Sequence, residues 1–177
     1  NDEWAELSRR VVVHCDAFKG VVEMERTTLA KRSRRLFTLS AIHGATKQLL
    51  AGLNDLDIEK RVQLASRFWI AVDQQIPEWR LVREGKVSSG EIREDFIHTN
   101  GISLLALSRA GNALFLGDGI DYDWEEKLKP IGKINWSRSN AKLWEGRAMR
   151  NGRISKASDN IILTGNVVKK AIGLDLT

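Results

Sequence analysis

The stretch from Ile102 to Leu116 is the feature that most restricts how this chain can fold. Apolar side chains occupy most of its positions, and they lie on every side of a helical projection. A helix without a polar face is stable only when other elements surround it. We therefore expect this helix to be the central one of a bundle, so that the rest of the chain supplies its neighbours.

Helical patterns fill most of the chain before Pro130. The strongest one places apolar residues at three- and four-residue steps from Ile58 to Ile76, as in an amphipathic helix that Asp55 would cap. Only Pro77 and Pro130 interrupt the chain. Further helices are expected at residues 2–19, 38–51, 77–84, from the Ser88–Glu91 capping box onward, and at 122–129. The sequence predicts a mostly α fold, a compact multi-helix bundle that forms a single helical domain over residues 1–177.

The composition changes after Pro130. Residues 131–155 are rich in Asn, Ser, Gly and Arg and are predicted to be mostly loop. A short extended piece at residues 160–163 and a final helix, capped by Thr164 and ended by Gly173, would follow. We therefore divide the chain into a helical body, residues 1–130, and a basic, loop-rich C-terminal segment, residues 131–177.

The C-terminal segment carries all of the net charge. It holds nine basic and three acidic residues, a balance of +6 in a chain whose net charge is +5. A near-neutral body with one cationic end favours a polyanionic partner, and nucleic acid is the commonest such partner. The candidate phosphate contacts are Arg138, Lys142, Arg147, Arg150, Arg153 and Lys156. The alternative is a structural loop whose arginines face water.

A second basic cluster lies between residues 26 and 35, just before the predicted second helix. Arg32, Arg34 and Arg35 could help to bind phosphate if they face the same side as the C-terminal cations. The alternative is a solvated turn. Trp136 and Trp144, inside the C-terminal segment, could stack on unpaired bases or anchor the loop to the core.

No complete catalytic centre can be recognised. Asp118, Asp121 and Asp123 are clustered as the acidic residues of a calcium loop are, but Lys129 stands where a bidentate glutamate is needed. We expect no metal, no cofactor and no enzymatic activity. The single cysteine excludes an internal disulfide, and neither a membrane span nor a secretory signal is visible. A cytoplasmic protein without a membrane partner is therefore expected.

Several stretches of the chain form a recognisable set of motifs: Val22–Ile42, Arg67–Trp69, Gln75–Trp79, Asp95–His98, Asn135–Asn140, Trp144–Arg147 and Leu163–Leu174. Together they resemble the DndB family. The resemblance spans nearly the whole chain. It implies a protein of the bacterial DNA phosphorothioation system, in which sulfur replaces a non-bridging phosphate oxygen. The resemblance also implies the role known for members of this family, which is to act as DNA-binding regulators of the modification gene cluster.

The chain departs from the family pattern in one respect. The Asp-Gly-Gln-His-Arg motif of the family's N-terminal, ParB-like half is missing, so the chain is expected to be the C-terminal helical part of a longer protein. The expected function is that of a DNA-binding regulatory or accessory protein. One alternative is a module that docks onto other phosphorothioation proteins, its own N-terminal half or a second copy. Another is a metal-dependent nickase or nucleotide hydrolase that uses the three aspartates.

Overall fold

A computed structural model describes residues 3–177 and confirms a mostly helical fold. Two 3-10 segments, Asp16–Phe18 and Trp124–Lys133, connect longer elements. The strands pair as β1 (Val22–Glu23) with β2 (Phe37–Thr38), in parallel, and as β3 (Met149–Arg150) with β4 (Arg153–Ile154), antiparallel. The described α-helices are α1 (Glu3–His14), α2 (Leu39–Leu49), α3 (Ile58–Asp73), α4 (Pro77–Arg83), α5 (Ser89–Asp95), α6 (Gly101–Asp118), α7 (Ala141–Trp144) and α8 (Ser158–Ala171).

Helix α6 is the apolar helix predicted at the centre of the bundle, and the structure confirms that position. Ten of its residues are buried, and α2 and α8 are its main packing partners. Gly111 marks the closest approach to its neighbours. A methyl group at this position would meet the ring of Phe68 and would lie 2.7 Å from Cδ1 of Leu49. The absence of a side chain at Gly111 therefore leaves room for Leu49 of α2 and Phe68 of α3 to contact α6.

Helix α3 follows the predicted periodicity, although Asp57 caps it and not Asp55. Oδ1 of Asp57 accepts a hydrogen bond from the Lys60 amide at 2.8 Å, which satisfies one of the free amides of the first turn. At the other end of α3, the Asp73 carboxylate accepts hydrogen bonds from both terminal nitrogens of Arg83, at 2.5 and 2.8 Å. This ion pair is mostly buried and fixes α4 against α3.

The predicted first helix, residues 2–19, begins outside the described residues and is interrupted after His14. Cys15 has extended backbone angles there, and a separate 3-10 turn follows. The helix predicted at residues 122–129 is a 3-10 segment that starts at Trp124 and continues past Pro130. In both places the sequence correctly predicted helical structure, but the predicted helix boundaries were wrong.

The extended piece predicted at residues 160–163 is wrong, because these residues belong to α8. The run of bulky apolar residues there resembles a strand, but Asn160 is fixed in the first turn by the hydroxyl of Ser155, which donates to Asn160 Oδ1 at 2.8 Å. Thr164 is therefore not a cap. It lies buried inside α8, where its hydroxyl donates to the Asn160 carbonyl at 2.7 Å.

None of the helices described is both long and apolar enough to cross a bilayer.

Two glycines of α6 provide a test of this packing. Gly111→Ala should lower the free energy of unfolding by about 1–3 kcal/mol, because the added methyl group collides with Phe68 and Leu49. Gly117→Ala, where the added carbon meets no atom within 4 Å, should raise it by roughly 0.5–1 kcal/mol through helix propensity. Thermal unfolding followed by circular dichroism measures both changes. Equal effects of the two substitutions would contradict the close packing at Gly111.

Candidate nucleic-acid interface

A single side chain organises the basic loop, which we define as residues 26–35. Arg93 on α5 donates from Nη1 to the Ala30 carbonyl at 3.1 Å, and from Nη2 to the carbonyls of Lys31 and Ser33 at 3.2 and 2.6 Å. The Ser89 hydroxyl adds a bond to the Ser33 carbonyl at 2.8 Å. Partial burial lowers the pKa of the Arg93 guanidinium, but an arginine still remains charged at neutral pH.

The cationic side chains of the basic loop differ in what they contact. Lys31, Arg32 and Arg34 are exposed and form no side-chain hydrogen bond or ion pair within residues 3–177. They line a cleft of about 640 Å³ whose other wall includes Val82, Val87 and the start of α5. Arg35 is engaged, because its Nη1 donates to the Gly20 carbonyl at 2.5 Å. Three available cations of the loop therefore line this cleft.

The other end of α5 is fixed by Arg138, one of the predicted contact residues. Its Nε donates to the Glu94 carbonyl at 2.9 Å, its Nη2 to the Arg93 carbonyl at 3.2 Å, and its amide to the Asp95 carbonyl at 2.8 Å. A second cleft, lined by Lys31, Arg32, Gly90, Arg93 and Glu94, lies beside the first. Helix α5 thus connects the basic loop with the start of the C-terminal segment.

Trp136 and Trp144 anchor the C-terminal segment, and the expectation that they could stack on bases is not supported. Both are buried, and their rings stack on each other with centroids 5.2 Å apart. The indole Nε1 of Trp144 donates to the Asn135 carbonyl at 2.9 Å. The Ile97 amide donates to the Trp136 carbonyl at 3.0 Å, which holds the segment against the residues that follow α5.

His98 lies at the centre of this anchor and is fully buried. Its Nδ1 accepts from the indole Nε1 of Trp79 at 3.1 Å, so its Nε2 carries the proton and donates to Glu78 Oε1 at 3.1 Å. The ring stacks on Phe96 and meets the edge of Trp136. Burial lowers the pKa of His98, against an opposing effect of the Glu78 hydrogen bond. That same hydrogen bond lowers the pKa of Glu78.

A β-hairpin carries two more of the predicted contacts, Arg150 and Arg153, directly opposite each other. Asn151 and Gly152 form its turn, both with positive φ, and this Asn-Gly pair is a hairpin signal that the loop prediction missed. The Glu145 carboxylate accepts from both turn amides. The hairpin is therefore a defined structure within a region predicted to be mostly loop.

The remaining predicted contacts fall into two groups. Arg147 donates to the Leu143 carbonyl at 2.6 Å, and Arg150 pairs with Asp159 at 3.0 Å on the exposed surface. Lys142, Arg153 and Lys156 are exposed, and no side-chain partner is seen for them in the described part of the chain. None of these five side chains hydrogen-bonds to α5 or the basic loop there. The structure thus places both Arg138 and Arg32 beside the C-terminal half of α5, while the hairpin cations form a separate group without a hydrogen bond to it in the described residues.

The three aspartates considered as a metal cluster are occupied elsewhere or dispersed. Asp118 forms an ion pair with Lys127 at 2.7 Å, and the hydrogen bond from Lys127 lowers the pKa of Asp118. Asp123 precedes the 3-10 segment without a capping bond from its side chain. In the described residues, no group of His, Cys, Asp and Glu side chains is arranged to hold a metal ion.

Comparison with known protein families decides the assignment of the chain. The model of the DndB family, described as DNA-sulfur modification-associated, matches residues 1–175. The chain belongs to the DndB family. The resemblance noted in the sequence is thereby confirmed, and it connects this DndB-family chain with the DNA-sulfur modification system. Neither a curated protein nor a solved structure matches it.

Two features of this DndB-family chain could not be recognised from sequence. Arg93 does not stand out there, because its importance depends on which loop carbonyls it reaches across about 60 residues of chain. His98 is one of three scattered histidines in the sequence, and its pairing with Trp79 and Glu78 is a tertiary contact. The capping box at Ser88 correctly predicted the start of α5, where the Ser88 hydroxyl accepts from the Glu91 amide. It could not predict which residues α5 contacts.

The buried histidine makes stability depend on pH. The pKa of His98 is lowered in the folded protein, so the unfolded chain takes up this proton first as the pH falls through its ordinary value of 6.5. Stability is fully present above that value and declines between it and the lowered pKa of the folded state. The melting temperature should fall between pH 7.5 and 5.5, by about 2–4 °C for each kcal/mol lost.

His98→Gln should reduce this pH dependence, because the amide can bond to Trp79 and Glu78 without titrating. His14→Gln, at an exposed position on α1, is the matched control and should keep the wild-type dependence. Melting curves at the two pH values test the assignment. An unreduced pH dependence in His98→Gln would show that another group is responsible.

Proposed function

We propose that the chain binds DNA through its phosphate backbone, as a regulatory or accessory protein of the DNA-sulfur modification system. In this role it would act in the cytoplasm and control the modification gene cluster. The observation that carries the proposal is the α5 junction: Arg93 and Ser89 hold the basic loop against α5, and Arg138 donates to carbonyls at the C-terminal end of the same helix. Cations from sequence positions about 100 residues apart thereby lie around one short helix.

The electrostatics of the junction support this proposal. Lys31, Arg32 and Arg34 have no carboxylate partner among the described residues, so their charge is not neutralised within the chain. Unpaired cations grouped around a cleft attract a polyanion, and each phosphate that they contact releases condensed counterions. A surface whose only role is solubility carries a mixture of positive and negative side chains.

The hairpin and its flanks form a second group of cations that would add contacts to the proposed interface. Lys142, Arg153 and Lys156 add cations that have no side-chain partner in the described part of the chain, whereas Arg147 and Arg150 would have to exchange an existing bond for a phosphate. We therefore assign the strongest phosphate contacts to the basic loop. Lys142, Arg153 and Lys156 would make additional contacts, and Arg35, Arg138, Arg147 and Arg150 would mainly position the backbone.

The salt dependence of DNA affinity tests this function. Replacing Lys31, Arg32 and Arg34 together by alanine should weaken binding to a duplex at least tenfold. It should also reduce the slope of log K against log salt by about 0.9 for each phosphate that the variant no longer neutralises. Replacing Lys142, Arg153 and Lys156 should have a smaller effect. Fluorescence anisotropy over a series of salt concentrations measures both quantities.

The matched control replaces Lys19, Lys47 and Lys60, three exposed lysines outside the interface, by alanine. It removes the same net charge and should leave the slope unchanged. An equal loss of slope in the control and the basic-loop variant would mean that binding follows net charge alone. No binding by the wild-type chain, together with capture of another modification protein, would favour the protein-docking alternative. A regulatory role further requires tighter binding to DNA upstream of the modification genes than to unrelated DNA.

A further inference from the structure

We propose that Arg93 is a positioning residue that shapes the basic loop into a preorganised cleft for adjacent phosphates of a nucleic-acid strand, without contacting the nucleic acid itself. This inference rests on the proposed function and adds a role for a residue outside the candidate contacts. It also adds Lys31 to the phosphate-binding residues, beside Arg32 and Arg34.

The hydrogen bonds of Arg93 explain why it does not bind phosphate directly. Its two terminal nitrogens are directed at the carbonyls of Ala30, Lys31 and Ser33. Its Nε is buried, and the side chain as a whole is half-buried. A guanidinium directed at three carbonyls of its own chain is poorly placed to form the paired contact that a phosphate prefers.

The same bonds explain how the loop becomes suited to phosphate. A backbone carbonyl carries a partial negative charge, and several of them facing a phosphate would repel it. Arg93 directs the lone pairs of three loop carbonyls toward α5, and the Ser89 hydroxyl gives Ser33 a second partner. The side chains of Lys31, Arg32 and Arg34 remain free to line the cleft.

Preorganisation is what links these bonds to affinity. A flexible loop must lose conformational freedom when it binds a phosphate chain, and each residue that becomes fixed carries an entropic cost. A loop already fixed by Arg93 and Ser89 avoids most of this cost. Arg93 would therefore raise DNA affinity without adding a phosphate contact of its own.

Arg93→Lys separates this role from that of a charge. The substitution keeps the net charge, but a lysine amine is a compact charge that cannot reproduce the fork with which the guanidinium reaches three carbonyls. We expect DNA affinity to fall roughly fivefold to twentyfold, with a smaller slope of log K against log salt because fewer loop cations reach phosphate together. Arg80→Lys, the same change at an exposed position on α4, should alter neither quantity.

A second measurement follows the loop without DNA. Trypsin cleaves after the loop residues 31, 32, 34 and 35, and mass spectrometry of short digests should show faster cleavage there in Arg93→Lys and in Ser89→Ala than in wild type. Circular dichroism and melting curves verify that the helices persist. A purely structural role would lower the melting temperature and leave the salt slope, measured well below that temperature, unchanged.

The possible outcomes separate this inference from the proposed function. Salt-dependent binding by the wild type, with a reduced slope and faster loop cleavage in Arg93→Lys, supports the positioning role. Wild-type affinity and slope in Arg93→Lys would overturn this role and leave the proposed function standing. Absence of DNA binding by the wild type would overturn both.

Discussion

The burial of α6 is the constraint on which the remaining architecture depends. Its lack of a polar face requires neighbours along its length, and α2 and α8 are the helices that pack most extensively against it. The basic loop leads into α2, and the basic C-terminal segment includes α8. Because α2 and α8 both pack on α6, each cationic stretch is attached to the same helical body.

Arginine serves two different purposes in this arrangement. Arg93 and Arg138 direct their donors at backbone carbonyls and hold together segments that have little regular structure of their own. Arg32, Arg34 and Arg153 have no such internal partners among the residues described. The first group determines where the second group lies. Removing a positioning arginine would thus disturb several charges, whereas removing a surface cation would affect only one.

The helical fold was predictable because local signals agree with the tertiary structure. The apolar run of α6, the three- and four-residue spacing in α3 and the capping serine of α5 each act over a few residues. The extended structure expected at residues 160–163 failed because a tertiary environment, including the Ser155–Asn160 hydrogen bond, overrides the strand preference of a short apolar run. The hairpin turn at Asn151 and Gly152 has a local signal as well, but the polar composition around it favoured a loop.

The candidate site was only partly predictable, since charge composition identifies cations but not their partners. Nothing local distinguishes Arg150, which pairs with Asp159, from Arg153, which has no side-chain partner in the described part of the chain. The role of Arg93 depends on contacts with residues 30–33 that no spacing rule reveals. From the sequence, Trp136 and Trp144 could either pack in the core or stack on bases. Their burial shows that they pack in the core.

Nuclear magnetic resonance is the most direct test of whether the two basic stretches form one surface. Backbone amide shifts would be followed while a short DNA duplex is added to the folded chain at moderate salt. A single interface predicts that shifts in residues 30–35 and in residues 137–139 change together, with one common dissociation constant, while the amides of α1 and α3 remain unaffected. Changes confined to one of the two stretches, or two different dissociation constants, would contradict it.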